Sequence, residues 1–233
     1  MSVDFVQDIM PENIGERHVA CVLCVDVSGS MSGDPIRELN QGLVEFGDAL
    51  QADPMACGRA EVAIVGFDTN AYIVTGMTPA SQYVPPVLST GGTTAMNAAI
   101  DLGLDMIEDR KATYKAAGIS YYRPWLFVLT DGYPNDSDEG ARVKTRLQDY
   151  IRNKKVVYMP MGIGTGANKK VLQSYYPDEY DQSKKIVLQA NQNHFKEAFQ
   201  WLSASISVVS NSNPQISDEV TLPALPTGIV VGI

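Results

Sequence analysis

Residues 18–30 read HVACVLCVDVSGS. From His18 to Val27 the run is almost continuously apolar, which is what a strand needs when helices cover both faces of a parallel sheet. Cys21 and Cys24 sit inside it at an odd spacing, so a strand sends their side chains to opposite faces. They read as buried structural thiols, not as a redox pair or half of a zinc site. Where the apolar run ends, Asp26, Ser28 and Ser30 place small oxygen-bearing side chains on a turn at Ser28-Gly29.

Moving outward, Pro35–Ala52 carries Ile36, Leu39, Leu43, Phe46 and Leu50 at helical spacing, with Asp34 as expected cap and Pro35 in the first turn. Ala60–Phe67 (AEVAIVGF) and Ala71–Thr75 predict a hairpin about the turn at Asp68–Asn70. A Pro/Gly/Ser-rich loop over residues 79–92 leads to Thr93, Thr94 and a helix carrying Met96, Ile100, Leu104 and Ile107. Pro124–Thr130 (PWLFVLT) is a further buried strand running into Asp131-Gly132. A helix over 137–152, a strand over 155–161, a short helix near 168–175, a strand over 185–189 and a helix over 193–209 complete the pattern. This alternation predicts an α/β fold with a doubly wound, mostly parallel sheet flanked by helices. Phe195, Phe199, Leu202 and Ile206 give the last helix one core-packing face.

The chain has 233 residues, 45% of them hydrophobic and 19% charged, enough apolar material for one large domain, placed at 1–210. Residues 211–233 form a proline-bearing tail without helical period, read as a strap along the domain or a docking segment, since Ile229–Ile233 can pair with a sheet edge. Lysine and arginine total 18 against 27 acids, a net charge of -9, which argues against nucleic acid as partner. No stretch approaches the roughly 20 apolar residues of a membrane span. The acidic first 17 residues lack the basic and apolar regions of a secretion signal. The three cysteines suit a reducing compartment, so a cytoplasmic location is expected. Asn135-Asp136-Ser137 is then a polar turn, not a glycosylation site.

Three expected strand ends bear the candidate chemistry: Asp26, Ser28 and Ser30 on the first, Thr94 after Gly91-Gly92, and Asp131 after Thr130. The carboxyl edge of a doubly wound sheet is where ligands bind. Two carboxylates and three hydroxyls, with no histidine or cysteine, form a hard oxygen set suited to Mg2+, Mn2+ or Ca2+. With so few anions, a bound Mg2+ keeps waters and leaves a position open to an acidic residue from elsewhere. Asp68, Asp136, Asp138 and Glu139 read as solvated loop acids. Gly162-x-Gly164-x-Gly166 lacks the nucleotide-fingerprint spacing. His18 and His194 are too isolated to act as bases or ligands, and strand-turn and surface positions suffice for them.

The D-x-S-x-S at Asp26, Ser28 and Ser30, the threonine after a Gly-rich loop and the T-D-G at Asp131 resemble the metal-ion-dependent adhesion site of von Willebrand factor A domains, over roughly residues 15–210. The resemblance implies Asp26, Ser28, Ser30, Thr94 and Asp131 as the metal set. Thr94 is preferred to Thr93 for its distance to Ile100. VDVSGSMSGDPIRELNQGL, GGTTAMNAAI and LTDGYPND look like the bacterial TerY group of A-domain proteins, associated with tellurium resistance and stress operons. The ligand set, with no general base beside it, points to a non-enzymatic, metal-dependent protein-interaction module, and the likeness implies a cytoplasmic bacterial stress-response role with a protein kinase and a PP2C-type phosphatase as first candidate partners. The alternative is a metal-dependent phosphohydrolase with Asp26 as nucleophile. It is disfavoured because Ser28 stands where such enzymes place a second aspartate, and no lysine lies in the three loops.

Overall fold

The computed structural model describes residues 8–135, 137–164, 167–190, 194–212, 221–227 and 229–231, with the side chains of 137, 138 and 231 left aside. Asp136, Gly166, Asn193 and the tail's last residues thus lie outside the described residues. Five parallel strands form the centre of the sheet: β1 (Val19–Asp26), β2 (Ala60–Phe67), β4 (Trp125–Thr130), β5 (Val157–Ile163) and β6 (Leu188–Ala190). Antiparallel β3 (Ala71–Pro79) and β7 (Ile229–Val231) flank them, in the order β3-β2-β1-β4-β5-β6-β7. All eight residues of β1 are buried, as its unbroken apolar run requires.

The helices are α1 (Asp34–Ala52), α2 (Pro54–Arg59), α3 (Met96–Ala116), α4 (Ser137–Arg152), α5 (Lys169–Gln173) and α6 (Phe195–Asn211). Leu39, Leu43 and Phe46 of α1 and Phe195, Phe199, Leu202 and Ile206 of α6 pack with Cys21, Leu23 and Val25 on one face. Ile100, Leu104 and Ile107 of α3 and Val143, Leu147 and Ile151 of α4 pack with Val22 and Cys24 on the other. The two thiols do point to opposite faces, and burial pushes both well above the ordinary cysteine range. Gly42 lets α1 and α6 approach closely, because a Cβ there would overlap the Phe199 ring. No helix of the described residues is long and apolar enough to cross a membrane.

Several boundaries differ from expectation. Asp34 is the first residue of α1 and not its cap, which is Gly33 at φ +88°; the Asp34 carboxylate pairs with Arg37 one turn on. α2 is a helix that the sequence pattern does not announce, although Asp53 caps it by accepting from Met55 N at 2.9 Å and Ala56 N at 3.1 Å, with Pro54 in the first turn. β6 starts at Leu188 and not at Lys185, since the Ile186 carbonyl accepts from Tyr176 Oη at 2.7 Å and is taken out of the ladder. In the tail, Leu222 and Leu225 pack on the α1/α6 core, Trp201 Nε1 donates to the Pro223 carbonyl at 2.9 Å, and β7 pairs with β6.

His18 is not a surface or turn filler: it is 1% exposed and lies in a polar cluster at the amino ends of β1 and β2. Its Nδ1 stands 2.9 Å from Glu61 Oε1, while Glu61 Oε2 accepts from Tyr114 Oη at 2.6 Å and from Arg110 Nε. Glu61 and Arg110 are each 1% exposed, so neither charge is shared with water. Burial pushes the Glu61 carboxyl up, but the bonds from His18, Arg110 and Tyr114 outweigh it and hold the group below its ordinary value. Arg110 also donates to the Ile9 carbonyl at 2.7 Å, and Ile9 N bonds Met77 O at 2.9 Å, so the cluster ties residues near the amino terminus across the foot of the sheet.

Candidate metal centre

The sheet order reverses at β1, whose neighbours β2 and β4 lie on either side. Register pairs Val25 with Leu129, which brings Asp26 beside Thr130 where both strands end. This is the switch point at which loops diverge and leave a crevice.

Asp26 is fully buried, and both of its carboxylate oxygens are engaged. Oδ1 accepts from Ser28 N at 2.9 Å and Oδ2 from Thr130 Oγ1 at 2.6 Å. Thr130 Oγ1 in turn accepts from Gly132 N at 3.1 Å, so this one hydroxyl orients the carboxylate and fixes the turn after β4. Ser28 Oγ lies 3.0 Å from Ser30 Oγ, which donates to Asp131 Oδ1 at 2.8 Å. A continuous run of oxygens thus links the first and third loops.

The second loop closes over them. Gly91 N donates to Val27 O at 2.9 Å and Gly29 N to Gly92 O at 3.2 Å. Gly92 has φ +63°, and a Cβ there would overlap Thr69, so only glycine fits. Thr94 then turns inward at 7% exposure, whereas Thr93 is exposed. A Cβ built on Gly132 would stand 3.9 Å from Thr94 Oγ1, which places that hydroxyl beside the Asp131 loop. The geometry brings all five anticipated residues together, and Thr94, not Thr93, faces the others.

Thr130 is the residue the sequence did not single out. Its signal was a hydroxyl ending an otherwise apolar strand one place before Asp131. Of the solvated loop acids, Asp68 Oδ1 accepts from Asn70 N at 3.0 Å and Glu139 pairs with Arg142 at 3.3 Å. Asp136 and the Asp138 side chain lie outside the described residues.

Among the described residues neither Asp26 nor Asp131 has a cationic partner. Burial raises the Asp26 carboxyl above its ordinary value and the Asp131 charge adds to this, against the bonds from Ser28 and Thr130. A buried carboxylate held ready by two donors but lacking a counter-charge fits a hard cation. Among the described residues no group of three or more His, Cys, Asp or Glu gathers anywhere, and this cluster itself offers two carboxylates beside its hydroxyls.

Sequence comparison matches residues 21–201 to the von Willebrand factor type A domain. The chain belongs to that family. No protein of curated function matches it in sequence. Solved A-domain structures share the fold at low identity. The vWF domain of the type V pili tip protein Mfa5 from Porphyromonas gingivalis is 10% identical at TM-score 0.61, with 85% of this chain and 98% of that one covered. BatB from Bacteroides thetaiotaomicron is 17% identical at TM-score 0.55, covering 83% and 100%. Proximal thread matrix protein 1 from the mussel byssus, solved with a zinc-occupied MIDAS motif, is 17% identical at TM-score 0.52, covering 84% and 46%. The A domain spans less than half the length of that mussel protein and of an ArnB paralog from Sulfolobus acidocaldarius.

Proposed function

We propose that this A domain is a non-enzymatic protein-interaction module that holds one divalent cation, Mg2+ by preference, and uses it to grip an acidic residue of a partner protein. The observation that carries this reading is the buried Asp26 carboxylate, unpaired with any cation among the described residues and bonded into a set of hydroxyls at the switch point. Ser28, Ser30 and Thr94 would offer hydroxyl oxygens to the ion. Asp26 and Asp131 would balance its charge directly or through water. Bound there, the ion supplies a Lewis-acidic position for a carboxylate oxygen. Thr130 keeps Asp26 oriented, and the Gly91-Gly92 turn keeps Thr94 in reach.

Binding is favoured over group transfer because both Asp26 oxygens are already bonded and the residue has no exposed surface for an in-line attack. None of the hydrogen bonds at this cluster comes from lysine, arginine or histidine that would neutralise a transferring phosphoryl group. The TerY-like wording of the three loops makes a protein kinase and a PP2C-type phosphatase the first partners to try, in a bacterial stress-response setting inside the cell.

Calorimetric titration of Mg2+, Mn2+ and Ca2+ into metal-stripped protein tests the site. One saturable site is expected, weakened at least about tenfold by Asp131→Ala, in line with losses when ligand-orienting groups are removed. A parent protein that takes up none of the three ions would sink the assignment.

A further inference from the structure

Beside the candidate metal centre, on the same side of the sheet, α5 descends from the carboxyl end of β5. A cavity of about 910 Å³ opens along it, bordered by Asn168, Lys169, Lys170, Asp178, Gln182 and Lys185. Three lysines and one aspartate line it, on a chain whose net charge is -9. None of the three lysines makes an ion pair among the described residues. Lys169 and Lys185 are half-buried. Lys185 acts on Glu179 through its charge, but the direct ion pair of that carboxylate is with Arg152, at 2.6 Å.

The rim of the cavity is bonded to the loop that follows Asp131. Asn168 Nδ2 donates to Tyr133 Oη, and Tyr133, two residues past Asp131, is 54% exposed. Asn168 also caps α5 by accepting from Val171 N at 3.2 Å, so the rim is fixed at both ends. A peptide with one carboxylate at the metal could extend past Tyr133 toward this rim, each further residue adding about 3.3 Å of reach.

We propose that the lysine-lined cavity along α5 is a second anion subsite, and that the partner segment recognised by this domain is a run of acidic residues with one carboxylate at the metal and the next at Lys169, Lys170 and Lys185. This rests on the metal reading above. An acidic peptide is favoured over nucleic acid, because a net charge of -9 disfavours a long polyanion. Two contacts on one segment also reinforce each other, since the first raises the local concentration for the second.

The test is fluorescence anisotropy with labelled octaglutamate and with a peptide of the same length carrying a single glutamate among glutamines. Each is titrated with Mg2+ or with EDTA, against the parent and the Lys169→Gln/Lys170→Gln/Lys185→Gln variant. In Mg2+ the parent is expected to bind octaglutamate about tenfold more tightly than the single-glutamate peptide, the scale of three partly exposed ion pairs. The variant should erase that difference while keeping the parent's affinity for Mg2+ and for the single-glutamate peptide. Equal binding of both peptides to the parent, or a difference that survives in the variant, overturns the subsite and leaves the metal reading standing. Lysine-dependent binding that persists in EDTA keeps the subsite and overturns the metal reading. Full displacement of octaglutamate by millimolar inorganic phosphate, without loss of the single-glutamate peptide, would reassign the cavity to free phosphate and overturn the peptide.

Discussion

Asp26→Asn is expected to weaken Mg2+ binding at least about 100-fold, a larger loss than removal of an outer, orienting group brings, and yet to make the metal-free protein more stable. The first half follows from charge, because a neutral amide at this position cannot balance a divalent ion that only Asp131 then faces. The second follows from burial. In the metal-free chain Asp26 is an ionisable carboxylate with no exposed surface, no cationic partner among the described residues and the Asp131 charge nearby. An amide of the same shape keeps the oxygen that accepts from Ser28 N and offers an N–H to Thr130 Oγ1, which still accepts from Gly132 N; the Thr130 proton loses its Asp26 acceptor, which trims but does not cancel the relief of the buried charge. A gain of about 0.5–2 kcal/mol is the usual size when a functional group held against its own stability is removed. For a chain of this length each kcal/mol moves the melting temperature by about 2–4 °C. Calorimetry and thermal melts in EDTA read the two halves separately. Parent-like Mg2+ affinity in the variant would remove Asp26 from the metal set; a lower melting temperature in EDTA would show that its charge is structural.

Glu61→Ala is expected to cost about 3–5 kcal/mol, because it leaves the Arg110 guanidinium buried and unpaired. At about 2–4 °C per kcal/mol the melting temperature falls by roughly 10 °C. Glu61→Gln keeps the shape and loses the charge, so it separates packing from pairing. The pH dependence has a definite sign. The folded Glu61 carboxyl titrates below its ordinary value near 4.5, so its stabilisation is complete above about 4.5 and is lost as pH falls through the lower folded value. The advantage of the parent over Glu61→Gln should therefore be full at neutral pH and shrink below about pH 4.5, read from urea denaturation at both. A Glu61→Ala protein within about 1 kcal/mol of the parent would mean that Arg110 escapes to water or finds another acceptor.

The two predictions differ in how far the sequence announced them. The candidate cluster was legible because chemistry and order coincide: three strand ends, each with oxygen side chains, converge where a doubly wound sheet reverses, and Asp26 beside Thr130 follows from register alone. The Glu61 cluster was not read, although its sign was present. An acid inside AEVAIVGF, a strand buried on both faces, needs a cation from elsewhere in the chain. Arg110 continues the apolar face of Ile100, Leu104 and Ile107 on α3, but nothing local says that it turns toward β2 across 49 residues of sequence. The cap at Asp53-Pro54 was likewise visible, while six residues ending Gly58-Arg59 were too short to show a period. The start of β6 was out of reach, since it depends on a tyrosine hydroxyl from beyond the far end of α5 claiming the Ile186 carbonyl.

The pairing of β7 with β6 also bears on how the protein should be handled. Residues 188–190 are the last parallel segment of the sheet, and their outer N–H and C=O groups are satisfied by residues 229–231. A fragment cut after α6 would uncover that row beside the Leu222 and Leu225 contacts it also loses. Exposed strand borders of this kind recruit strands from other molecules, so such a fragment should be prone to self-association, and its aggregation would report a missing cover, not a misfolded domain.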